Sequence, residues 1–149
     1  MKSKENFRKA VFVVVYSKLG NKIKYLLLKR KKHWKGWEFT KGGIESGEKF
    51  LNAVKREVFE ETGRKAKKIR KFKIHGKYYY KKKIPDRNGI IGQEYSLYSA
   101  EIKKEKIKID KKEHSNYKWL NFSEAEKKLT YRNQKRCLKI VNNWLKNTK

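Results

Sequence analysis

Glutamate side chains are concentrated in one short segment of a chain that is otherwise strongly basic. Five of its 15 acidic residues lie between positions 45 and 61, whereas Lys and Arg together number 43. Residues 49–62 have helical periodicity, with three apolar residues on one narrow arc: Leu51, Val54 and Val58. Glu57, Glu60 and Glu61 lie on the neighbouring arc, because successive helical residues are rotated by about 100°. This spacing predicts a helix that buries one face and presents three carboxylates along its edge.

Three carboxylates this close together repel one another unless cations join them. Mg²⁺ and Mn²⁺ are hard ions that prefer such oxygen ligands and keep further positions for water and phosphate. The alternative interpretation is an acidic helix face that pairs with lysines in solvent. The crowding of acidic residues in a basic chain favours a site for a divalent cation.

Alternating strands surround this helix, and two further helices follow at the end of the chain. The predicted strands are Ala10–Tyr16, Lys22–Arg30, Ile69–Lys81, Gln93–Ile102 and Tyr117–Phe122. The predicted helices are Lys49–Thr62, Ser123–Leu129, which begins with a Ser-x-x-Glu capping box, and Asn133–Lys146. We expect residues 31–47 to be mostly loop and residues 84–92 to be a loop or long turn. This order predicts one mixed α/β layered domain that spans residues 1–149.

The composition limits the class of protein. A chain of 149 residues suits one domain, and its 37% hydrophobic and 13% aromatic residues, in periodic runs, argue against disorder. No apolar run approaches the about 20 residues that cross a bilayer, and the basic start has no cleavage site after it. We therefore expect a cytoplasmic monomer or homodimer without a membrane partner. The net charge of +28 predicts attraction to polyanions, including nucleotides and nucleic acid.

Residues 42–64 resemble the signature of the Nudix hydrolases, G-x5-E-x7-R-E-U-x-E-E-x-G-U, in which U is a bulky aliphatic residue. The matching residues are Gly42, Glu48, Arg56, Glu57, Val58, Glu60, Glu61 and Gly63. Arg64 stands at the last position, where the family has an aliphatic residue that packs at the end of the helix. Fixed spacing over so many positions makes this a specific match.

The resemblance implies an α/β fold of the Nudix type, an α/β/α sandwich with a mixed sheet, in which the signature forms a loop–helix–loop. It assigns Mg²⁺ or Mn²⁺ to four residues: Glu57, Glu60, Glu61 and, through its backbone carbonyl, Gly42. Arg56 stands four residues before Glu60, the spacing of a helical ion pair, and is expected to orient that carboxylate. Glu48 is expected to support the loop or to reach an ion through water. The implied reaction is the hydrolysis of a nucleoside diphosphate linked to another group, by attack of metal-activated water on phosphorus.

Segments outside the signature are similar to the asymmetric diadenosine-tetraphosphate hydrolases within that family. These segments are residues 37–48 (WEFTKGGIESGE, with Thr40 in place of the usual Pro), 95–102 and 113–125 (EHSNYKWLNFSEA). They imply hydrolysis of diadenosine tetraphosphate to ATP and AMP. Two alternatives stay open. One is a pyrophosphohydrolase of nucleoside triphosphates or RNA 5′ ends, and the other is a nucleotide- or RNA-binding module without activity, which we would expect to have lost carboxylates of the signature.

Four residues outside the helix are expected to complete the site. Lys41, directly before two glycines, is expected to contact a bridging phosphate. Glu113, in the loop before the last predicted strand, is a candidate general base or additional metal ligand. Tyr78 and Tyr80 share one face of a predicted strand, where aromatic rings can hold a base by stacking. His114 is expected to be a packing residue rather than a catalytic one.

Overall fold

The computed structural model of this chain describes residues 6–147, and residues 1–5 and 148–149 lie outside the described range. The expectation of no signal peptide rests partly on residues 1–5, which lie outside this range. Both ends of the predicted domain 1–149 lie outside it as well. The strands are β1 (Phe7–Leu19), β2 (Lys22–Arg30), β3 (Gly36–Glu38), β4 (Thr40–Gly43), β5 (Lys67–Tyr79), β6 (Gly92–Glu101) and β7 (His114–Leu120). The helices are α1 (Phe50–Thr62), α2 (Phe122–Lys128) and α3 (Arg132–Asn147).

Strand β1 is the centre of a seven-stranded mixed sheet. It runs parallel to β6, from Phe7 opposite Gly92 to Tyr16 opposite Glu101, and antiparallel to β2 and β4 on its other side. Its apolar run Ala10–Tyr16 is at most 2% exposed, which suits a strand covered on both faces. The sheet order is β3-β2-β1-β6-β5, with β7 paired to β2 and β5 at one edge.

Helices cover both faces of this sheet. Helix α1 packs in a core that includes Val11, Val13 and Val58, whereas α3 packs in a second core that includes Phe12 and Leu138. Alternate residues of β1 therefore point into different cores, as the pleat of a strand requires. This arrangement confirms the predicted α/β/α sandwich with a mixed sheet. Within the described range, no helix combines the length and the apolar character needed to cross a membrane.

The end of α1 explains how the chain accommodates its departure from the Nudix signature. Gly63 adopts a left-handed conformation with φ of 73°, and its N–H donates to the carbonyl of Phe59 at 2.8 Å, which closes the helix. Arg64 then turns to polar partners: its guanidinium donates to the carbonyl of Lys106 at 2.8 and 3.0 Å and lies 2.9 Å from Glu105. A cation with its own partners thus takes the place of the aliphatic residue.

Three local predictions were wrong, and each has a physical reason. Residues 31–47, predicted as mostly loop, contain β3 and β4, which are too short to produce a periodic pattern and depend on pairing with β2 and β1. Leu51, predicted in the buried face of α1, is 47% exposed, and Ala53 is buried there instead. The capping box of α2 lies two residues before Ser123, where Asn121 and Glu124 exchange side-chain and backbone hydrogen bonds of 2.9 and 3.2 Å.

Candidate active site

Helix α1 carries the predicted metal ligands, and packing divides them into two groups. Glu57 and Glu61 lie one turn apart and are only 8% and 1% exposed, because this side of the helix packs toward β1 and β4. Glu60 faces outward, with 52% of its side chain exposed. Among residues 6–147, no three His, Cys, Asp or Glu side chains are arranged to hold a metal ion. The structure therefore brings Glu57 and Glu61 together and leaves Glu60 at the rim.

Arg56 is at the centre of the acidic residues around α1. Its guanidinium donates to both carboxylate oxygens of Glu48, at 2.8 and 2.9 Å, and to the carbonyl of Gly43 at 2.8 Å. It also donates to Glu57 at 2.7 Å and to Glu60 at 3.2 Å. These contacts, the Glu48 bonds first, raise the pKa of Arg56, and Arg56 lowers the pKa of Glu48 to about 2. One planar side chain thus fastens the preceding loop to the helix.

Glu61 is a buried carboxylate without a hydrogen-bond partner at either oxygen. Burial raises its pKa well above the usual range, and the negative charges of Glu57, Glu38 and Glu113 raise it further. Burial also raises the pKa of Glu57, although Arg56 opposes this effect. A buried carboxylate of this kind is stable only when a proton or a cation neutralises it.

The oxygen atoms around Glu61 fit a hard divalent cation. Gly42 lies directly against Glu57, since a Cβ at this position would be 2.0 Å from the carboxylate carbon of Glu57. Only glycine allows the backbone of β4 to approach the helix carboxylate this closely. Two buried carboxylates beside a peptide backbone offer the oxygen ligands that Mg²⁺ and Mn²⁺ prefer.

A small pocket beside Gly42 and Glu57 is lined by four cationic side chains. Its walls are formed by Arg8, Arg30, Trp34, Lys41, Gly42, Glu57, Arg87, Gln93 and Glu113. Burial, together with the nearby charge of Arg87, lowers the pKa of Arg8. Three guanidinium groups and one ammonium group around so small a space fit phosphate oxygens, which guanidinium groups bind in a bidentate manner.

Glu38 is a buried carboxylate that contacts several side chains lining this pocket. Its carboxylate lies 3.2 Å from Arg30, 3.5 Å from Lys41 and 2.9 Å from His114 Nε2, and it accepts a bond from Trp34 Nε1 at 3.3 Å. Burial alone would raise the pKa of Glu38, but Lys41, His114 and Arg30 together lower it to about 2. Burial lowers the pKa of Lys41, and Glu38 opposes that effect. The register between β2 and β7 shifts after Lys29, where β7 carries the extra residue Ser115, and this shift sets Arg30 opposite His114 and so allows both to reach Glu38.

A larger cavity of about 540 Å³ adjoins the basic pocket, and Trp34 and Lys41 line both. The ammonium of Lys41 lies 4.4 Å from the centroid of the Trp34 ring. Tyr78 and Tyr80 also line this cavity, with their ring centroids 6.2 Å apart. The Tyr80 hydroxyl donates to Gln93 at 2.9 Å, whereas the Tyr78 hydroxyl is buried without a partner. An aromatic cavity that opens on a basic pocket suits a nucleotide base followed by its phosphates.

The four residues predicted outside the helix, Lys41, Tyr78, Tyr80 and Glu113, all line one of these two cavities. Sequence reasoning missed Glu38 and the arginines of the small pocket, and it gave His114 a packing role. A signal for the arginines was present. Arg8, Arg30 and Arg87 line the pocket and, with the predicted Arg56, make up half of the chain's eight Arg residues. Arg is the more specific reader of phosphate in a chain where Lys dominates.

Comparison with known families agrees with this geometry. The model of the NUDIX domain matches residues 6–139. The chain belongs to the NUDIX family. This membership confirms the prediction of a Nudix pyrophosphohydrolase, an enzyme that acts on phosphoanhydride bonds, and it accounts for the position of the signature on α1.

Several characterised proteins are similar to this Nudix chain in sequence or in structure. The RNA pyrophosphohydrolase of Baumannia cicadellinicola is 34% identical over 116 residues, which cover 70% of this chain and 72% of that protein. The RNA pyrophosphohydrolase of Haemophilus ducreyi is 27% identical over 131 residues, and the match spans 64% of its length, less than two thirds. A binary complex of the C. elegans Ap4A hydrolase has a TM-score of 0.75 at 24% identity, over 95% of this chain and 99% of that one. At this identity the structural likeness shows the fold.

Proposed function

We propose that this Nudix chain hydrolyses a phosphoanhydride bond in a nucleotide that carries a polyphosphate chain, with Mg²⁺ or Mn²⁺ as cofactor. One observation carries the proposal: Trp34 and Lys41 form a wall common to the aromatic cavity and to the basic pocket beside Gly42 and Glu57. A base held in the cavity therefore directs its phosphates past Lys41 and toward the carboxylates of α1.

In this proposal, the divalent cation is held by four residues: Glu57, Glu60, Glu61 and Gly42. When bound, the cation supplies Lewis-acid activation of water and phosphate. The unpartnered oxygens of Glu61 support this assignment, because a cation would neutralise a carboxylate that is costly to bury. Glu60 would complete the set from the rim.

The other residues of the chain orient the reacting groups. Arg56 positions the carboxylates of α1, and Glu48 fixes the loop through its two bonds to Arg56. Lys41 contacts a bridging phosphate. Glu113, which is 30% exposed and 3.7 Å from Arg30, accepts the proton of the attacking water. The rings of Tyr78 and Tyr80 enclose the base.

Our first candidate substrate is diadenosine tetraphosphate, hydrolysed to ATP and AMP. The cluster of cations beside Glu57 favours a long anionic bridge, and the aromatic cavity would fix one adenine at a set distance from the carboxylates. The second candidate is an RNA 5′ end or a nucleoside triphosphate. The relative in B. cicadellinicola that is named an RNA pyrophosphohydrolase and the net charge of +28 favour the RNA alternative.

A product assay tests the proposal and separates the candidates. The purified protein is incubated with diadenosine tetraphosphate, nucleoside triphosphates and 5′-triphosphorylated RNA, each with Mg²⁺ and with EDTA. We expect ATP and AMP from the dinucleotide and no turnover after chelation. Two ADP products would contradict the asymmetric cleavage, and a kcat/KM for RNA at least about tenfold higher, about 1.4 kcal/mol, would favour the second candidate. The proposal fails if no substrate is hydrolysed or if EDTA has no effect.

Glu60→Gln tests the metal assignment without disturbing the core. We expect kcat to fall by about 10²–10⁴-fold, the usual effect of losing one preorganised catalytic group. The melting temperature should change little, because Glu60 is exposed. Full activity in this variant would exclude Glu60 from the site. The cytoplasmic location and the monomeric or homodimeric state remain predictions.

A further inference from the structure

We propose that the face of strand β5 on the α1 side of the sheet binds the single-stranded body of an RNA whose 5′ phosphates occupy the active site. This inference rests on the RNA alternative of the proposed function and adds a second binding surface to it. We call the surface formed by Phe7, Lys71, Lys73, Lys77 and Tyr79 the β5 track.

The cations of the β5 track follow from the position of the strand. Because β5 is an edge strand, its side chains on the α1 side of the sheet are exposed to solvent where the helix does not cover them. Lys71 and Lys77 lie opposite Tyr98 and Glu94 of β6, which point to the same side of the sheet, and Lys73 is exposed in the irregular stretch between them. Glu94, opposite Lys77, is the acidic residue that faces these lysines in the register with β6, so the row keeps a positive charge.

Aromatic rings lie among these lysines. The rings of Phe7 and Tyr79 meet edge to face, with centroids 5.2 Å apart, across Gly92, where a Cβ would be 2.8 Å from the Phe7 ring. Tyr79 is 56% exposed, and the ammonium of Lys77 lies 4.9 Å from the Phe7 centroid. Alternation of cations and exposed rings is typical of surfaces that bind unpaired nucleotides by phosphate contact and base stacking.

The β5 track reaches the aromatic cavity at its Tyr79 end and borders a second, open depression along its middle. Lys81 and Lys82 follow β5 directly and line the aromatic cavity. Along the middle of the track, Lys77 borders an open depression of about 360 Å³ together with Phe50 and His75. Tyr79 lines the aromatic cavity as well, so a strand that leaves the cavity passes from Lys81 and Lys82 to the Tyr79 ring at the end of the track.

A simpler explanation of these lysines involves no RNA, and the control variant is chosen to test it. Exposed lysines on an edge strand also prevent unwanted pairing with other strands, and this chain has exposed lysines on its helices as well. If the charge acted only as a general field, lysines on the opposite side of the molecule would contribute equally. The control therefore removes three exposed lysines of α2 and α3, which cover the other sheet face: Lys127, Lys139 and Lys146.

The binding experiment compares Lys71→Gln/Lys73→Gln/Lys77→Gln with Lys127→Gln/Lys139→Gln/Lys146→Gln. The ligand is a fluorescent 5′-hydroxyl RNA of about 12 nucleotides, within the range of known single-strand site sizes. Loss of three phosphate contacts should lower the salt dependence of log K by about 2 and weaken binding by about 10- to 100-fold at 0.1 M salt. The control should lose no more than about threefold. Equal weakening of both variants, or no RNA binding by the unmodified protein, would overturn the proposal.

Stacking is tested separately at Tyr79. Tyr79→Ala should weaken binding of the same RNA by at least about fivefold, whereas Tyr79→Phe, which keeps the ring, should bind as the unmodified protein does. A duplex RNA of the same length should not distinguish the two variants, because its bases are already stacked. Unchanged binding by Tyr79→Ala would show that this ring does not contribute to RNA binding.

Enzyme kinetics distinguish failure of the track from failure of the proposed function. In the Lys71/Lys73/Lys77 variant, KM for triphosphorylated RNA should rise by at least about tenfold, while kcat/KM for diadenosine tetraphosphate or ATP stays within about twofold. Equal changes in the kinetic constants for RNA and for the short nucleotides would overturn the proposal that the β5 track binds RNA. A protein that binds 5′-hydroxyl RNA through the track but hydrolyses no RNA would support the surface and overturn the RNA alternative of the proposed function.

Discussion

Glu38→Gln should destabilise the protein strongly, although the substitution keeps the size and shape of the side chain. Glu38 is 1% exposed and balances Arg30 and Lys41, which are 4% and 5% exposed. Its pKa is about 2 instead of the ordinary 4.5, and this difference corresponds to about 3 kcal/mol at about 1.4 kcal/mol per pH unit. Removing one member of a buried ion pair costs about 3–5 kcal/mol, which agrees. With about 2.1 cal/mol/K of unfolding entropy per residue over 149 residues, the melting temperature should fall by about 10 °C.

The pH dependence of this effect provides an internal check. A carboxylate with a lowered pKa stabilises the folded state above the unfolded value of about 4.5, and this stabilisation is lost as the pH falls toward 2. The difference between the two proteins, measured by circular dichroism during heating, should be full at pH 7 and shrink below pH ~4.5. Glu94→Gln, at an exposed position, is the matched control and should change stability by at most about 0.5 kcal/mol. A shift below about 3 °C at pH 7, or one that does not depend on pH, would refute the reasoning.

Three further substitutions test the parts of the site. Because the pKa of Glu61 is raised, the folded state loses stability as the pH rises above ~4.5. Glu61→Gln should therefore melt at a higher temperature than the unmodified protein at pH 8 and at the same temperature at pH 4. Adding Mg²⁺ should not raise the melting temperature of this variant, and a rise as large as in the unmodified protein would contradict the assignment. Gly42→Ala places a methyl group 2.0 Å from the Glu57 carboxylate carbon and should cost about 1–3 kcal/mol in urea denaturation and most of the activity; a variant with normal kcat would disprove the close approach. Arg56→Lys keeps the charge but not the bidentate contact with Glu48, so kcat in the product assay should fall by about 10- to 100-fold. Full activity in this variant would contradict a positioning role for Arg56.

The parts of the fold that could be predicted are those determined by local pattern. The buried run Ala10–Tyr16 and the strand Lys22–Arg30 are recognisable because their apolar patterns extend over seven residues or more. Strand β4 could not be found this way, since its four residues become a strand only through pairing with β1. The cap of α2 is also local, but it lies at Asn121 rather than at Ser123 because Asn121 and Glu124 form the capping box two residues earlier.

The candidate site was predictable where its residues share one helix and unpredictable where they meet across the sheet. Glu57 and Glu61 could be placed on a common face by counting along α1. Glu38 meets Arg30 and His114 only because β2, β3 and β7 are neighbours, and nothing in the local sequence indicates that a carboxylate beside Trp37 is fully buried. Glu60 shows the limit of counting on a helix, because its angular position is close to that of Glu57 but packing leaves it exposed.

The parallel pairing of β1 with β6 has a consequence for how the chain is made. Residue 7 finds its partner at residue 92, so 85 positions separate the two strands in sequence. During synthesis, the run Ala10–Tyr16 therefore emerges long before the strand that covers its second edge, and it combines high β-propensity with no charge, the composition of an aggregation-prone segment. Arg8 and Lys9 on one side and Lys18 on the other are positioned to oppose self-association of that segment until β6 is available. Replacing these flanking charges would reduce the soluble yield of newly made protein more than it would reduce the stability of the folded one.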